Sequence, residues 1–184
     1  MVLAACSYEP DPADGESAAA PAATPGEEAW DAPPPTAAPT TGADILALEG
    51  LDDLRIGAAL PAGSSWAERG AQTSDSCRIV TSRDYPGAYA IVERGKIRRI
   101  TVGDRSAVKL AEGIGVGASE AEVREWFPFP ATPHEYQEAP AKYLTAPNAA
   151  NGDSALRFEI DAEGKVSAIH VGTMPVLGYT EGCA

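Results

Sequence analysis

The chain holds only three cysteines and two histidines in 184 residues, and no run of 18 apolar residues. Each shortage excludes something. Without a long apolar run, no helix of this sequence spans a bilayer. With His134 and His170 as the only imidazoles and no CxxC, no metal site is expected. The stretch "HEYQE" at 134–138 lacks the second histidine of HExxH and reads as a polar loop. There is no GxSxG, so a serine elbow is not indicated. Gly113, Gly115 and Gly117 are spaced GxGxG rather than GxGxxG, and no acidic residue closes a βαβ unit. They read as turn geometry ahead of a helix, and no cofactor is expected. Nothing in the sequence gathers Asp75, Ser76 and His170 into a catalytic set, so no catalytic residue is named.

Basic residues are missing from one region altogether. Residues 7–43 carry seven acidic side chains, eight prolines and no Lys or Arg. Tyr8 and Trp30 are the only large apolar side chains there. Such a segment buries too little surface to offset its ordering entropy, and it reads as a disordered, self-repelling linker. All 14 basic residues fall after residue 43, against 20 acidic ones, and the whole chain has a net charge of −13. An acidic domain lacks the basic face that nucleic acid or an anionic membrane surface requires, so neither is expected to bind it directly.

Three cysteines divide naturally into one and two. Cys6 precedes the linker, while Cys77 and Cys183 lie in the later part of the chain. In an oxidising compartment those two are the expected disulfide pair. Their bridge closes a loop of about 107 residues, a span at which chain-entropy arguments give about 4–5 kcal/mol as an upper figure. It would also tie down the C-terminus.

"LAAC" at 3–6 resembles a bacterial lipobox: Leu3 is aliphatic, Ala4 and Ala5 are small, and Cys6 follows. That resemblance implies cleavage before Cys6, lipidation (palmitate among the acyl groups) on its thiol, and a tether behind it. Residues 1–6 then read as the remnant of a lipoprotein signal, because five residues are too few for a basic n-region and an apolar h-region. The implied location is the cell envelope, lipid-anchored to a bacterial membrane, the outer in preference to the inner. The domain would lie in the periplasm.

The globular part, 44–184, contains a repeat. "RGKIRRITVG" at 94–103 matches "EGKVSAIHVG" at 163–172, and Tyr89 and Ile91 match Phe158 and Ile160 at the same offset of 69. "LRIGA" at 54–58 matches "IGVGA" at 114–118 at an offset of 60. The second copy therefore carries extra residues, expected in the Pro-rich loop near 128–147. Each later block reads as a β-hairpin, with a turn at Gly95 or Gly164. Apolar spacing shifts face between Ile97 and Ile100, which indicates a bulge. Ser119 and Glu122 form a capping box ahead of Val123, Trp126 and Phe127, and Pro128 stops that helix. In the first copy Pro61 and Gly63 leave at best a short helix over 64–69. The expected fold is α+β: two tandem helix-plus-antiparallel-hairpin repeats, near 50–103 and 110–172, forming one two-layer domain.

This order, with the motif "AEGIGVGASEAEVREWF", resembles the repeat of β-lactamase-inhibitor-protein-like and outer-membrane-assembly-lipoprotein (SmpA/BamE-like) domains. The resemblance implies binding of protein through a concave sheet and carries over no functional residue. The expected function is a non-enzymatic envelope lipoprotein with an unidentified envelope protein partner. Alternatives are an inhibitor of a secreted or periplasmic hydrolase and, third, an uncharacterised enzyme. Arg98 and Arg99 are expected to flank the open face of the sheet, and Glu159 and Asp161 to be solvated. Aromatic residues are expected mostly in the core, and the loop 128–147 is the expected contact surface.

Overall fold

A computed structural model describes residues 44–183 other than Thr73. The chain divides into two units, 1–37 and 38–184. Cys6 and the linker expected over 7–43 lie outside the described residues.

Three two-residue strands come first: β1 (Leu46–Ala47), β2 (Gly50–Leu51) and β3 (Leu54–Arg55) form a small antiparallel sheet. Then come β4 (Ala67–Glu68), β5 (Cys77–Thr81), β6 (Ala88–Glu93) and β7 (Lys96–Val102). The helix α1 (Glu120–Trp126) precedes β8 (Ala131–Pro133), β9 (Lys142–Thr145), β10 (Ala155–Ile160) and β11 (Val166–Gly172). Strands β4 to β11 build one eight-stranded antiparallel sheet in the order β4-β5-β6-β7-β11-β10-β9-β8.

The expected α+β class is therefore corrected. Among the described residues 37% are in strands and bridges and 11% are helical, with a single α-helix. Two helix-plus-hairpin repeats are not formed. In the first copy Pro61 and Gly63, both poor helix formers, stand just ahead of residues 64–69, where the short helix was expected. Ala67 and Glu68 pair instead with Thr81 and Val80 as edge strand β4. Only the second copy has its helix, because only there does a cap precede a breaker-free run. Ser119 and Glu122 make the reciprocal capping box, and the helix ends ahead of Pro128.

The hairpins of the repeat are present. β6 pairs with β7, and β10 with β11. Gly95 and Gly164 turn them with φ of 75° and 72°, a region open to glycine at no steric cost. Each hairpin carries the bulge that the apolar spacing indicated. Arg98 is skipped between Ile91↔Arg99 and Val92↔Ile97, and Ser167 between Glu159↔Ala168 and Ile160↔Val166. The Gly-rich turns are equivalent too. Gly57 N–H and Gly117 N–H donate to the carbonyls of Ile97 and Val166, whose own N–H groups donate back to Ala58 and Ala118.

The two copies meet at β7 and β11. Their register pairs Ile169 with Val102, His170 with Thr101 and Val171 with Ile100. Since Ile100 and Val102 correspond to Ile169 and Val171 in the repeat, the register is symmetric about the Thr101–His170 pair. The sheet thus has a pseudo-two-fold axis there, with β4-β5-β6-β7 on one side and β11-β10-β9-β8 on the other. The connection from β9 to β10, which holds the 3-10 turn Pro147–Asn151, is longer than that from β5 to β6. Most of the extra length of the second copy lies there, past the loop near 128–147 where it was expected.

One face of the large sheet holds the main core. Val80, Ala90, Ile97, Ile100, Leu144, Phe158, Ile169 and Val171 pack there with Leu46, Leu51 and Leu54 of the small sheet and Val123 of α1. Period-2 alternation sends Ile79, Tyr89 and Ile91 to the opposite face. The C-terminal strap, residues 173–183, covers them with Val176, Tyr179 and Cys183.

Gly172 sits where β11 crosses closest to β7. A Cβ there would fall on the carbonyl of Arg98 and lie 2.8 Å from Arg99 Cα. Its repeat equivalent, Gly103, has only the Gly87 carbonyl nearby, at 3.8 Å. Gly172→Ala is expected to cost at least about 2 kcal/mol and Gly103→Ala less than about 1 kcal/mol in urea unfolding. Equal costs would remove the close approach as the reason.

Candidate functional site

The face of the sheet opposite the core gathers most of the domain's buried polar chemistry. Thr101 of β7 and His170 of β11 face each other across the pseudo-axis, with Thr101 Oγ1 2.8 Å from His170 Nδ1. His170 Nε2 lies 3.1 Å from Glu159 Oε1. His134 Nε2 stands 4.0 Å from Glu159 Oε2. Both histidines of the chain thus converge on one carboxylate. The ring of Tyr143 stacks on His134 at 4.5 Å between centroids and lies 3.8 Å from the Arg157 guanidinium.

Arg99 completes the cluster. It is 1% exposed. It donates to the carbonyls of Val176 (3.2 Å) and Tyr179 and to the Tyr89 hydroxyl at 3.1 Å. The expectation that Arg99 flanks an open face is corrected. The strap closes over that half of the sheet, and its carbonyls accept from Nη1 of the guanidinium. Glu159 is likewise no solvated hairpin carboxylate. Asp161 is: its Oδ1 accepts from the backbone of Glu163 and Lys165 in the turn.

Cys77 and Cys183 form the disulfide, with Cα atoms 5.7 Å apart across a sequence separation of 106. It fixes the far end of the strap to β5. The near end is held by Thr173 N–H on the Arg98 carbonyl at 3.0 Å.

Burial works against protonation of His170 and holds its pKa below the ordinary 6.5, although Glu159 pulls the other way. The ring is then neutral at pH 7, accepting from Thr101 at Nδ1 and donating to Glu159 from Nε2. For Glu159 burial is the largest influence and pushes upward, but the His170 hydrogen bond and the neighbouring His134 and Arg157 outweigh it. The carboxyl stays below its ordinary range.

Hydroxyl, imidazole and carboxylate stand in the order of a catalytic triad. The hydroxyl is nonetheless sealed: Thr101 is 2% exposed and His170 4%. A nucleophile must reach its substrate, so the row acts as a buried hydrogen-bond relay. His170 finds Thr101 and Glu159 as partners rather than Asp75 or Ser76. Among the described residues no group of three or more His, Cys, Asp or Glu is placed to hold a metal ion.

Of the aromatic residues expected in the core, Tyr85 and Tyr143 are buried, while Tyr89, Phe127 and Phe129 are partly so. Trp126, expected on the buried face of the helix, is corrected: it is 60% exposed, and Tyr136 in the loop expected as a contact surface is 62% exposed. In α1 only Val123 is buried, because a seven-residue helix turns too little apolar surface inward to cover three side chains. The "HEYQE" segment is a loop, as expected, with His134 Nδ1 accepting from the backbone of Tyr136 and Gln137. The glycines at 113–117 form the turns ahead of α1. The buried row on β7, β10 and β11 escaped sequence reasoning. Its one available signal was the exchange of Thr101 for His170 at equivalent positions of the repeat.

No protein-family model, curated protein or solved structure matches the chain.

Stability is expected to fall on acidification in two steps. Below pH 6.5 the unfolded chain binds a proton at His170 that the folded chain resists, and below pH 4.5 the same holds for Glu159. The thermal midpoint is therefore flat between about pH 7.5 and 9 and declines from about pH 6.5 downward. His170→Gln lowers the midpoint throughout but flattens the slope between pH 6.5 and 5. An unchanged slope in that variant would locate the titration elsewhere.

Proposed function

We propose that the chain is a non-enzymatic, lipid-anchored protein of the bacterial cell envelope. Its disulfide-locked domain acts there through protein contacts. The observation that carries this reading is the Cys77–Cys183 bridge. It ties Cys183 to the start of β5, next to the edge strand, and such bridges persist in oxidising compartments outside the cytoplasm. Cys6 stands apart from that pair in "LAAC", where the lipobox resemblance assigns it a lipid. The acidic tract of 7–43 serves as the tether between anchor and domain.

Two further features favour contact over catalysis. The hydroxyl and imidazole of the hydroxyl-imidazole-carboxylate row are closed to a substrate. The large aromatic side chains facing solvent, Trp126 and Tyr136, lie at the end of α1 and in the connection between β8 and β9. Amphipathic aromatics of this kind dominate the energetics of protein interfaces.

Two readouts on the protein in its own cells test the reading. Intact mass of membrane-extracted protein is expected to begin at Cys6 and to carry added acyl mass, both lost in Cys6→Ser. A soluble protein that retains Met1 would overturn the anchor. A photo-crosslinking side chain at 126 or 136 is expected to capture one envelope protein, while the same group at the exposed Asp153 captures none. Equal capture at all three positions, or none, would overturn the contact surface.

A further inference from the structure

The core side of the domain contains a cavity of about 460 Å³, between β1 and the inner face of β10 and β11. Leu46, Leu156 and Val171 form its floor, and all three are buried. Phe127 and Phe129, just past α1, form one wall and are only partly buried. The opening lies between exposed residues of two connections, Glu112 on one side and Asn148 on the other. The volume falls within the range of small-ligand sites, about 300–1,000 Å³, and the lining is predominantly apolar, as such sites are.

The polar groups at the mouth set the sign of the ligand. Glu112 is the only charged side chain lining the cavity among the described residues. Asn148 uses its Nδ2 on the Ser154 carbonyl at 3.5 Å, and its amide oxygen is left to accept. A carboxylate and an amide oxygen both accept hydrogen bonds and neither neutralises an anion. A fatty-acid carboxylate would meet repulsion there, whereas an ammonium group would meet an acceptor of opposite charge. Burying a charged head without a partner is penalised, so the mouth discriminates between the two.

We propose that this cavity binds a single-chain aliphatic amphiphile whose head is positively charged and donates hydrogen bonds. The chain lies against Leu46, Leu156 and Val171, and the head sits at Glu112. This site does not depend on the envelope reading, and its test uses the full chain in solution without any membrane.

The neutral fluorescent probe N-phenyl-1-naphthylamine reports occupancy, and dodecylammonium and dodecanoate compete for it below their micelle concentrations. Saturable probe binding is expected, with dodecylammonium displacing at ~10-fold lower concentration than dodecanoate. Glu112→Gln brings the two competitors within ~2-fold, which separates a local effect from the general pull of an acidic protein on cations. Ala146→Phe fills the cavity and abolishes probe binding. Because Ala146 is buried, Ala111→Trp at the exposed mouth is the second variant, expected to weaken probe binding in a domain of unaltered thermal midpoint. Absence of saturable binding, or binding indifferent to both filling variants, would overturn the site. Equal displacement by the two competitors, or a preference that survives Glu112→Gln, would overturn the assignment of the head group.

Discussion

Antiparallel pairing of β7 with β11 is the constraint on which the rest depends. Each repeat contributes four strands, and the seam joins them into one sheet with no gap in the ladder. Because the register is symmetric, one position of the repeat must face its own equivalent. Two threonines there could bond each other but could not reach on to Glu159, as His170 does from Nε2. The chain places threonine in one copy and histidine in the other, so a hydroxyl donor meets an imidazole acceptor at 2.8 Å. Divergence at the self-facing position is thus complementary. Buried polar atoms need partners, and this pair supplies its own.

Once the seam sets which residues face away from the core, that face needs a cover. Tyr89, Ile91 and Arg99 lie on it, and an uncovered guanidinium between apolar neighbours would lose neither its charge nor its need for acceptors. The strap provides both requirements. Val176 packs on Ile91, and the carbonyls of Val176 and Tyr179 accept from Arg99. A strap with so few buried apolar side chains has little of its own to offset the entropy of lying flat. The disulfide removes much of that freedom from the unfolded chain instead, and over a 106-residue separation this effect is large. Arg99 and the Cys77–Cys183 bridge therefore hold the strap from its middle and its end.

The parts of this arrangement legible in the sequence are those set by local chemistry. The capping box at Ser119 and Glu122, the turns at Gly95 and Gly164, the bulge between Ile97 and Ile100 and the cysteine pair all follow from residues read in place. The fold class did not, because a repeat in sequence need not be a repeat in every element. Pro61 and Gly63 weakened the first helix, and strand pairing with β5 took Ala67 and Glu68 instead. The buried row was hidden for a different reason. Arg99, Glu159 and His170 look like ordinary strand-face polar residues until the seam and the strap bury them. Burial of that kind comes from tertiary contacts between residues about 70 to 80 positions apart, such as Thr101 with His170 and Arg99 with Val176.

The same symmetry leaves the sheet with two ends, and both are blunted. β4 is two residues long and carries Glu68, which pairs with Arg78 at 2.7 Å. β8 is three residues long and ends in Pro133, which has no N–H to offer a neighbouring strand. Short, charged or proline-bearing edges resist addition of a further strand. Recruitment of a partner by extending the sheet is therefore disfavoured at either end. The protein partner proposed above would then be met by side-chain contact, for which Trp126 and Tyr136 are the exposed aromatics. The cavity opens on the core side of the sheet, among different residues. The proposed contact surface and the proposed ligand site therefore share none of these residues.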